Sequence, residues 1–279
     1  MEFLEIIKVI ILGVVEGITE WLPISSTGHM ILVDEFLKLK VSPEFMEMFL
    51  VVIQLGAIMA VVLLFWNKIF PFTFKDGFKV KEGVISMWFK IAVACVPAAI
   101  IGVLFDDILT KWFYNATTVA LMLIIFGVLF IVIENYNKGK NPRVNALSDI
   151  TYNVAIMIGL FQLIAAVFPG TSRSGATIVG ALLIGVSRTI AAEFTFFLAI
   201  PVMFGASALK IVKYVAEFGF AFNGNEVGLL LIGMFVAFIV SIFAIKFLMS
   251  YIKNNDFKVF GWYRIVLGIL VLGYFYIIV

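Results

Sequence analysis

Residues 23–28 read Pro-Ile-Ser-Ser-Thr-Gly, and residues 169–175 read Pro-Gly-Thr-Ser-Arg-Ser-Gly. Each polar loop divides an apolar stretch, the first within residues 8–33 and the second within residues 152–186. Proline breaks a helix because it removes a backbone donor, and glycine permits left-handed backbone. In a lipid environment, irregular backbone is tolerated only where protein or a water-filled cavity surrounds it. The two stretches therefore predict re-entrant helix–loop–helix hairpins, each leaving the membrane on the side it entered.

The composition indicates a protein that is surrounded mainly by lipid. Of its 279 residues, 63% are hydrophobic and 14% are charged, and the mean hydropathy is +1.13. A soluble domain carries roughly 25% charged residues. A spanning helix needs about 20 mostly apolar residues. Six segments meet this requirement, and they predict an all-α polytopic membrane protein: 45–66, 86–105, 116–134, 190–212, 226–249 and 259–278.

Charge and cysteine content argue against a nucleic-acid-binding protein and against a disulfide-stabilised protein. The net charge is only +2, so no nucleic-acid partner is predicted. Cys95 is the only cysteine, so no disulfide can form within the chain. The first residues begin acidic and lack both the basic region and the small-residue cleavage site of a signal peptide. We interpret them as part of the mature sequence.

The two halves of the chain align at an offset of 146 residues. We predict a single membrane domain, 1–279, with a first repeat over 1–135 and a second repeat over 150–279. Each repeat would contain one hairpin and three spans, and because three is odd the second repeat is inverted. Inverted repeats with broken helices place their sites near the membrane midplane, where the repeats meet. The aligned pairs cluster where the helical pattern breaks: Gly13/Gly159, Glu16/Gln162, Ile18/Ile164, Pro23/Pro169, Ser26/Ser172 and Glu47/Glu193.

The distribution of lysine and arginine predicts the orientation, because cytoplasmic loops carry an excess of both. One side has few of them, namely Lys38, Lys40, Lys111 and Lys213. Both termini and the mouth of the first hairpin would then face outside, so the site is expected to open to the outer side of the membrane. The side predicted to be cytoplasmic holds Lys68, Lys75, Lys79, Lys81, Lys138, Lys140, Arg143, Arg188, Lys253 and Lys258.

Two carboxylates precede the first loop. Glu16 and Glu20 are four residues apart, so they lie on the same face of a helix. An ionised carboxylate in lipid is costly, by about 2.5–3.5 kcal/mol on insertion scales. The pair is expected to share a cation, a proton or a water-filled pocket, which makes both residues candidate metal ligands. The alternative is a shallow hairpin in which the pair is only interfacial.

The first loop itself carries candidate catalytic groups. Ser25, Ser26 and Thr27 follow the proline directly, and His29 is the only histidine in the chain. Hydroxyls on an irregular loop that leads into a helix supply donors for an oxyanion. A hydroxyl, an imidazole and a carboxylate together supply a nucleophile, a proton carrier and an orienting group. The alternative is a purely structural histidine.

The second loop carries Arg173, the only lysine or arginine between Tyr152 and Val186. The rigid guanidinium fork suits bidentate binding of phosphate oxygens. Neighbouring hydroxyls of Thr171, Ser172 and Ser174 are candidate substrate-binding groups, as are Ser25 and Thr27 of the first loop. The alternative is an ion pair between Arg173 and Glu16 or Glu20, and the two interpretations are compatible.

These motifs resemble a known family. The stretch from Glu16 to His29 resembles the first signature of the BacA-type undecaprenyl-pyrophosphate phosphatases, and Pro169 to Gly175 resembles the second. The stretch from Phe194 to Pro201 is also typical of that family. No zinc pattern, Walker loop or dinucleotide-binding fingerprint is present in the sequence, and the paired blocks of the membrane acid phosphatases are absent.

The resemblance implies a multi-pass enzyme of the bacterial plasma membrane, associated with bacitracin resistance. It would remove the terminal phosphate of a polyprenyl diphosphate lipid, undecaprenyl pyrophosphate, for cell-wall synthesis. The resemblance also implies a divalent cation, Mg²⁺ or Ca²⁺. Its acidic motif falls on Glu16 and Glu20, and its essential polar residues fall on Ser26, His29 and Arg173.

Three questions stay open at this point. The nucleophile is Ser26 or His29, with His29 or Glu20 as the proton acceptor. The oligomeric state is a monomer or a homodimer. The competing function is an inverted-repeat transporter or flippase of an anionic lipid, because that architecture is common among transporters.

Overall fold

The structure is a computed structural model that describes residues 2–73, 78–219 and 224–278. In these ranges the chain is almost entirely helical, apart from one short hairpin of β1 (Phe72–Thr73) and β2 (Lys79–Val80). Lys75, one of the residues used to predict the orientation, lies outside the described ranges. The helices are α1 (Phe3–Thr19), α2 (Ser26–Phe36), α3 (Pro43–Val52), α4 (Gln54–Leu64), α5 (Trp66–Ile69), α6 (Glu82–Phe113), α7 (Ala116–Asn137), α8 (Tyr152–Val167), α9 (Arg173–Leu183), α10 (Arg188–Phe218), α11 (Gly224–Tyr251) and α12 (Lys258–Gly273).

All six predicted spans are confirmed as helices, and this is a multi-pass membrane protein. Among the described residues, six helical segments are long and apolar enough to cross a membrane. The first span is divided at Ile53 into α3 and α4. The second continues past its predicted end at residue 105 to Phe113, because nothing in that stretch breaks the helix once the apolar run ends.

The predicted helix breaks at both loops are also confirmed. Ser25 and Ser172 each cap the helix that follows, and both adopt positive φ, 76° and 68°. Their hydroxyls accept hydrogen bonds from the backbone N–H of Gly28 (3.3 Å) and Gly175 (3.1 Å). They are the only non-glycine residues with positive φ in the described ranges. A strained cap of this kind persists only where the surrounding structure enforces it.

The helix caps show that the structural correspondence between the two loops differs by one residue from the predicted sequence alignment. Ser25 corresponds structurally to Ser172, so Arg173 occupies the position of Ser26. The sequence alignment instead paired Ser26 with Ser172. The second loop has one more residue between its proline and its cap, and Gly170 accommodates the extra residue with a φ of 88°.

In each hairpin, the first helix packs against a helix of the other half of the chain. Helix α1 of the first half packs against α11, and α8 of the second half packs against α6. Small residues permit the close approach, as is common between membrane helices. A Cβ added at Gly13 would lie 2.9 Å from the carbonyl oxygen of Gly233, and one added at Gly159 would collide with the backbone of Ala94. A twofold relation between the halves would produce this arrangement, and the inverted duplication itself stays a prediction.

A buried carboxylate joins three helices at their ends. Glu134 of α7 is 2% exposed. It accepts hydrogen bonds from Arg188 Nε (2.9 Å) and Nη2 (2.5 Å), and from the backbone N–H of Phe257 (3.0 Å). This contact fixes the start of α10 and the start of α12 relative to α7.

We expect Glu134→Gln to lower the free energy of unfolding by about 2 kcal/mol, because the amide removes the charge that Arg188 pairs with and one of the acceptors. Thermal unfolding of the purified protein in detergent measures the change. An unfolding midpoint equal to that of the wild type would contradict the assignment of Glu134 as a stabilising link.

Candidate active site

The two loops meet through a largely buried ion pair. Arg173 Nη2 donates to Glu20 Oε1 at 2.8 Å. The hydroxyl of Ser174 donates to the backbone carbonyl of Glu20 at 3.2 Å. These contacts join the end of α1 to the start of α9, so the two hairpins form one polar centre. The alternative considered for Arg173, an ion pair with a first-loop carboxylate, is therefore present.

Glu20 also binds the first hydroxyl of α2. Ser26 Oγ donates to Glu20 Oε2 at 2.6 Å. The cap at Ser25 sets the position of Ser26, because it turns the chain so that Ser26 is the first residue of the helix. A hydroxyl bound to a carboxylate at a helix N-terminus can lose its proton to the carboxylate and attack an electrophile. The carboxylate of Glu20 therefore bridges Ser26 and Arg173.

The orientation of Arg173 is supported by the helix that follows the second loop and by α10. Nη1 donates to the backbone carbonyl of Thr195 at 3.2 Å. The hydroxyl of Thr177 donates to the carbonyl of Arg173 at 2.9 Å and accepts from the hydroxyl of Thr195 at 2.9 Å. Both threonines are fully buried. The guanidinium is thus held from both sides before any ligand binds.

A cavity of about 150 Å³ opens beside this centre. A second cavity, of about 160 Å³, lies next to it and includes Gly102 and Tyr114. Thr27, Ala165 and Pro169 line both, so the two are neighbours. The polar part of the first cavity's lining consists of Glu20, Ser26, Thr27, Gln54, Ser172 and Arg173.

Glu16 adds a second carboxylate one helical turn before Glu20. It is 1% exposed, and its Oε1 has no hydrogen-bond partner. In the described ranges no group of three or more His, Cys, Asp or Glu side chains is arranged to hold a metal ion. Mg²⁺ commonly uses only one or two carboxylates, with the remaining ligands from water and substrate phosphates. A buried carboxylate pair with one unpartnered oxygen fits such an ion.

Comparison with known proteins decides the family. The family model described as "Bacitracin resistance protein BacA" matches residues 9–270. The chain belongs to the BacA family. The undecaprenyl-diphosphatase of Desulfitobacterium hafniense is 72% identical over 99% of this chain and 98% of its own length. Undecaprenyl-diphosphatase 1 of Clostridium acetobutylicum is 66% identical over the full length of both chains, and an undecaprenyl-diphosphatase of Enterococcus faecalis is 64% identical over 98% of each.

Membership of the BacA family confirms the resemblance inferred from the two loops. The matched region includes both loops, all the candidate site residues named above and α12 up to residue 270. The roles of the individual site residues in this BacA-family chain stay predictions, and the structure shows only where each one lies.

The hydroxyls predicted to bind substrate occupy different places. Thr27 and Ser172 line the first cavity. Ser25 is fully buried and serves as a cap, while Ser174 binds the backbone of Glu20. Thr171 is fully buried and its hydroxyl has no hydrogen-bond partner. Of these five residues, only Thr27 and Ser172 line the cavity in which a ligand could bind.

His29 contacts groups other than the ones expected. Its Nδ1 lies 2.7 Å from the carbonyl oxygen of Ser25, and its Nε2 lies 2.6 Å from the hydroxyl of Tyr263. It is absent from the lining of the described cavities, whereas Ser26 is present. The imidazole therefore points toward Tyr263 of α12. Glu20, rather than His29, is the group in hydrogen-bond contact with the Ser26 hydroxyl.

Sequence reasoning missed two residues at this site. Gln54, to which no chemistry was assigned, lines the first cavity where α3 gives way to α4. Arg264 lies in the predicted span 259–278 and is fully buried next to both loops. A charged residue in the middle of an apolar span is the signal that could have identified it, because such residues are rare and often functional.

Proposed function

We propose that this protein is an integral membrane lipid diphosphatase that hydrolyses undecaprenyl pyrophosphate to undecaprenyl phosphate and inorganic phosphate. The reaction recycles the carrier lipid for cell-wall synthesis and accounts for the family's association with bacitracin resistance. The observation that carries the proposal is the continuous contact from Ser26 through Glu20 to Arg173, at 2.6 and 2.8 Å, across the two loops. The relatives named above carry the name of the same activity.

The first chemical step is transfer of the terminal phosphoryl group to Ser26. The serine oxygen forms a bond to the terminal phosphorus while the bond from that phosphorus to the bridging oxygen breaks. The lipid monophosphate leaves with the electron pair, and the serine proton passes to Glu20. In the second step a water molecule attacks the phosphoserine. Before this attack the departing lipid monophosphate takes the serine proton from Glu20, which restores the carboxylate. Glu20 then accepts a proton from the attacking water and returns it to the serine oxygen as the bond from that oxygen to phosphorus breaks, and inorganic phosphate leaves.

Arg173 stabilises the transferred group in both steps. Phosphoryl transfer depends mainly on positioning and on stabilisation of the charge on the equatorial oxygens. The guanidinium donates two of its five N–H groups to Glu20 and Thr195, so further N–H groups remain for phosphate oxygens. The ion pair and the phosphate contact are thus compatible, and Glu20 also orients the arginine before substrate binds.

Glu16 and Glu20 would hold a divalent cation, Mg²⁺ or Ca²⁺, together with substrate oxygens. When bound, the ion supplies charge neutralisation and polarises a phosphate oxygen. The protein's own contribution is a buried carboxylate pair that keeps one oxygen, Glu16 Oε1, without a competing partner.

We expect Glu16→Gln to raise the Mg²⁺ concentration needed for half-maximal activity by at least tenfold, since changes beside a metal site commonly cost about 10–100-fold in affinity. Titration of phosphate release with Mg²⁺ measures this value. Glu5→Gln, the same substitution about three turns earlier on α1, where the carboxylate pairs with Lys8, is the matched control and should leave the Mg²⁺ requirement unchanged. An identical titration for Glu16→Gln and the wild type would contradict the role of Glu16.

The second cavity is proposed to hold the isoprene units nearest the diphosphate. It adjoins the polar cavity at Thr27 and Pro169, and its lining includes the apolar residues Leu109 and Val167. The head group would occupy the polar cavity while the lipid chain leaves between helices toward the membrane.

Gly102→Leu should raise KM for the lipid diphosphate about tenfold, because a larger side chain fills space that the isoprene units need and apolar contacts of this size contribute about 1–3 kcal/mol. A Cβ at Gly102 meets no atom within 4 Å, and the same holds for Gly83 on the same helix. Gly83→Leu is therefore the matched control and should keep the wild-type KM. Inhibition by inorganic phosphate should be equal in both variants. Equal KM values would refute this placement of the lipid.

A direct assay separates the enzyme from the competing transporter or flippase. The purified protein in detergent micelles, where no membrane gradient exists, is expected to release phosphate from undecaprenyl pyrophosphate. A pure transporter releases none. We further propose that the site opens to the outer side of the membrane, on the basis of the lysine and arginine distribution.

A further inference from the structure

Arg264 binds backbone from both loops at once. Its Nη2 donates to the carbonyl oxygens of Gly170 (2.9 Å) and Thr171 (2.7 Å) in the second loop. Its Nη1 donates to the carbonyl oxygen of Pro23 (3.2 Å) in the first loop. On α7, Nη2 also lies 3.4 Å from the carbonyl oxygen of Met122, and Nε donates to the carbonyl oxygen of Leu123 (3.5 Å). One side chain on α12 therefore links α7 and the two loops that carry the site.

The guanidinium is fully buried, and in the described part of the chain its hydrogen bonds all go to backbone carbonyls. A buried charge is tolerated only where hydrogen bonds replace its hydration. The loop carbonyls of Pro23, Gly170 and Thr171 also require hydrogen-bond donors, because these residues are buried and lie outside regular helix. The arginine and the loops thus satisfy each other, and removing one leaves the other unsatisfied.

We infer that Arg264 is a positioning residue that holds the two loops in the register required for reaction. Pro23 precedes Ser26 by three residues, and Thr171 precedes Arg173 by two. A shift of either anchored carbonyl therefore moves one partner of the Ser26–Glu20–Arg173 contact. The inference rests on the proposed function for its kinetic consequences, whereas the tethering of the loops is independent of it.

The geometry also explains why arginine and a nearby glycine are required. Five N–H donors in a planar fork reach carbonyls in several directions, and the ammonium of lysine offers three donors at one point. A Cβ added at Gly175 would lie 2.9 Å from Arg264 Nη1. Gly175→Ala therefore displaces the same guanidinium without altering the arginine itself.

The test compares Arg264→Lys and Arg264→Met with Arg188→Lys, which alters the ion pair between Arg188 and the buried Glu134 elsewhere. Hydrogen–deuterium exchange of the substrate-free protein in detergent is measured over residues 20–29 and 168–176, together with kcat, KM and the unfolding midpoint. Exchange is expected to rise in both loops of the Arg264 variants together. For Arg264→Lys, kcat per folded molecule should fall at least tenfold while KM changes less than threefold. Arg188→Lys should lower the midpoint only.

Several results would overturn the inference. Unchanged loop exchange in Arg264→Lys, or increased exchange in one loop alone, refutes the tether. Loss of stability with wild-type kcat in the folded fraction means that Arg264 is merely structural. If neither Arg264 variant folds, Gly175→Ala provides the test. The inference requires that this variant increase exchange in both loops and lower kcat. Failure of the wild type to release phosphate would refute the proposed function, while the exchange result would still decide on the tether.

Discussion

Ser26→Ala is expected to lower kcat for phosphate release by at least ~10³-fold, equivalent to about 4 kcal/mol of transition-state stabilisation. The Ser26 hydroxyl is 2.6 Å from a carboxylate oxygen and lines the cavity beside Arg173. Alanine removes the proposed nucleophile and leaves the helix cap at Ser25 intact. KM should change little, because Arg173 and the remaining donors still bind the head group.

Thr27→Val is the matched control for this variant. It removes the neighbouring cavity hydroxyl while keeping the shape of the side chain, so its kcat should stay far above that of Ser26→Ala. His29→Gln should likewise retain more activity, since His29 contacts Ser25 and Tyr263. Near-normal turnover by Ser26→Ala would rule out the serine mechanism. A phosphoenzyme trapped on His29 would reassign the nucleophile.

Glu20→Gln is expected to lower kcat by a similar factor, ~10³-fold, which lies within the usual contribution of a general base. The amide cannot accept the proton of Ser26. It also removes the charge that pairs with Arg173 at 2.8 Å, so one substitution disturbs both neighbours. Single-turnover measurement of phosphate release separates this chemical defect from a defect in binding.

The double variant with Ser26→Ala tests whether the two residues act as a unit. Groups that act in one chemical step give strongly non-additive losses. We expect the double variant to be about as slow as either single variant. Additive losses, which would multiply the two factors, would show that Glu20 acts independently of the serine and would contradict the proposed proton transfer.

The overall architecture was predictable because the membrane imposes simple local demands. Spanning helices need long apolar runs, and proline and glycine mark the breaks. For this reason the six spans and both hairpins are found where the sequence predicts them. Glu16, Glu20 and Arg173 could also be selected as candidate site residues, since they are charges in otherwise apolar surroundings.

Details that depend on one residue of register were not predictable. The alignment paired Ser26 with Ser172, but helix capping pairs Ser25 with Ser172. A sequence alignment pairs residues of the two repeats by their identity, whereas the structure pairs them by their φ angles and hydrogen bonds. His29 shows the same limit, because its closeness to Ser26 in sequence does not determine which way its ring points around α2.

The sequence alone determined that this is a helical membrane protein with two broken hairpins, and it identified the carboxylates, hydroxyls and arginine that the loops carry. Only the tertiary structure decided which of them meet. Glu20 binds Ser26 within its own hairpin and Arg173 across 153 residues of chain, and Arg264 joins both loops from the last long helix. Local sequence patterns indicate whether lipid or water surrounds a segment, whereas contacts between distant segments depend on how the helices pack against one another.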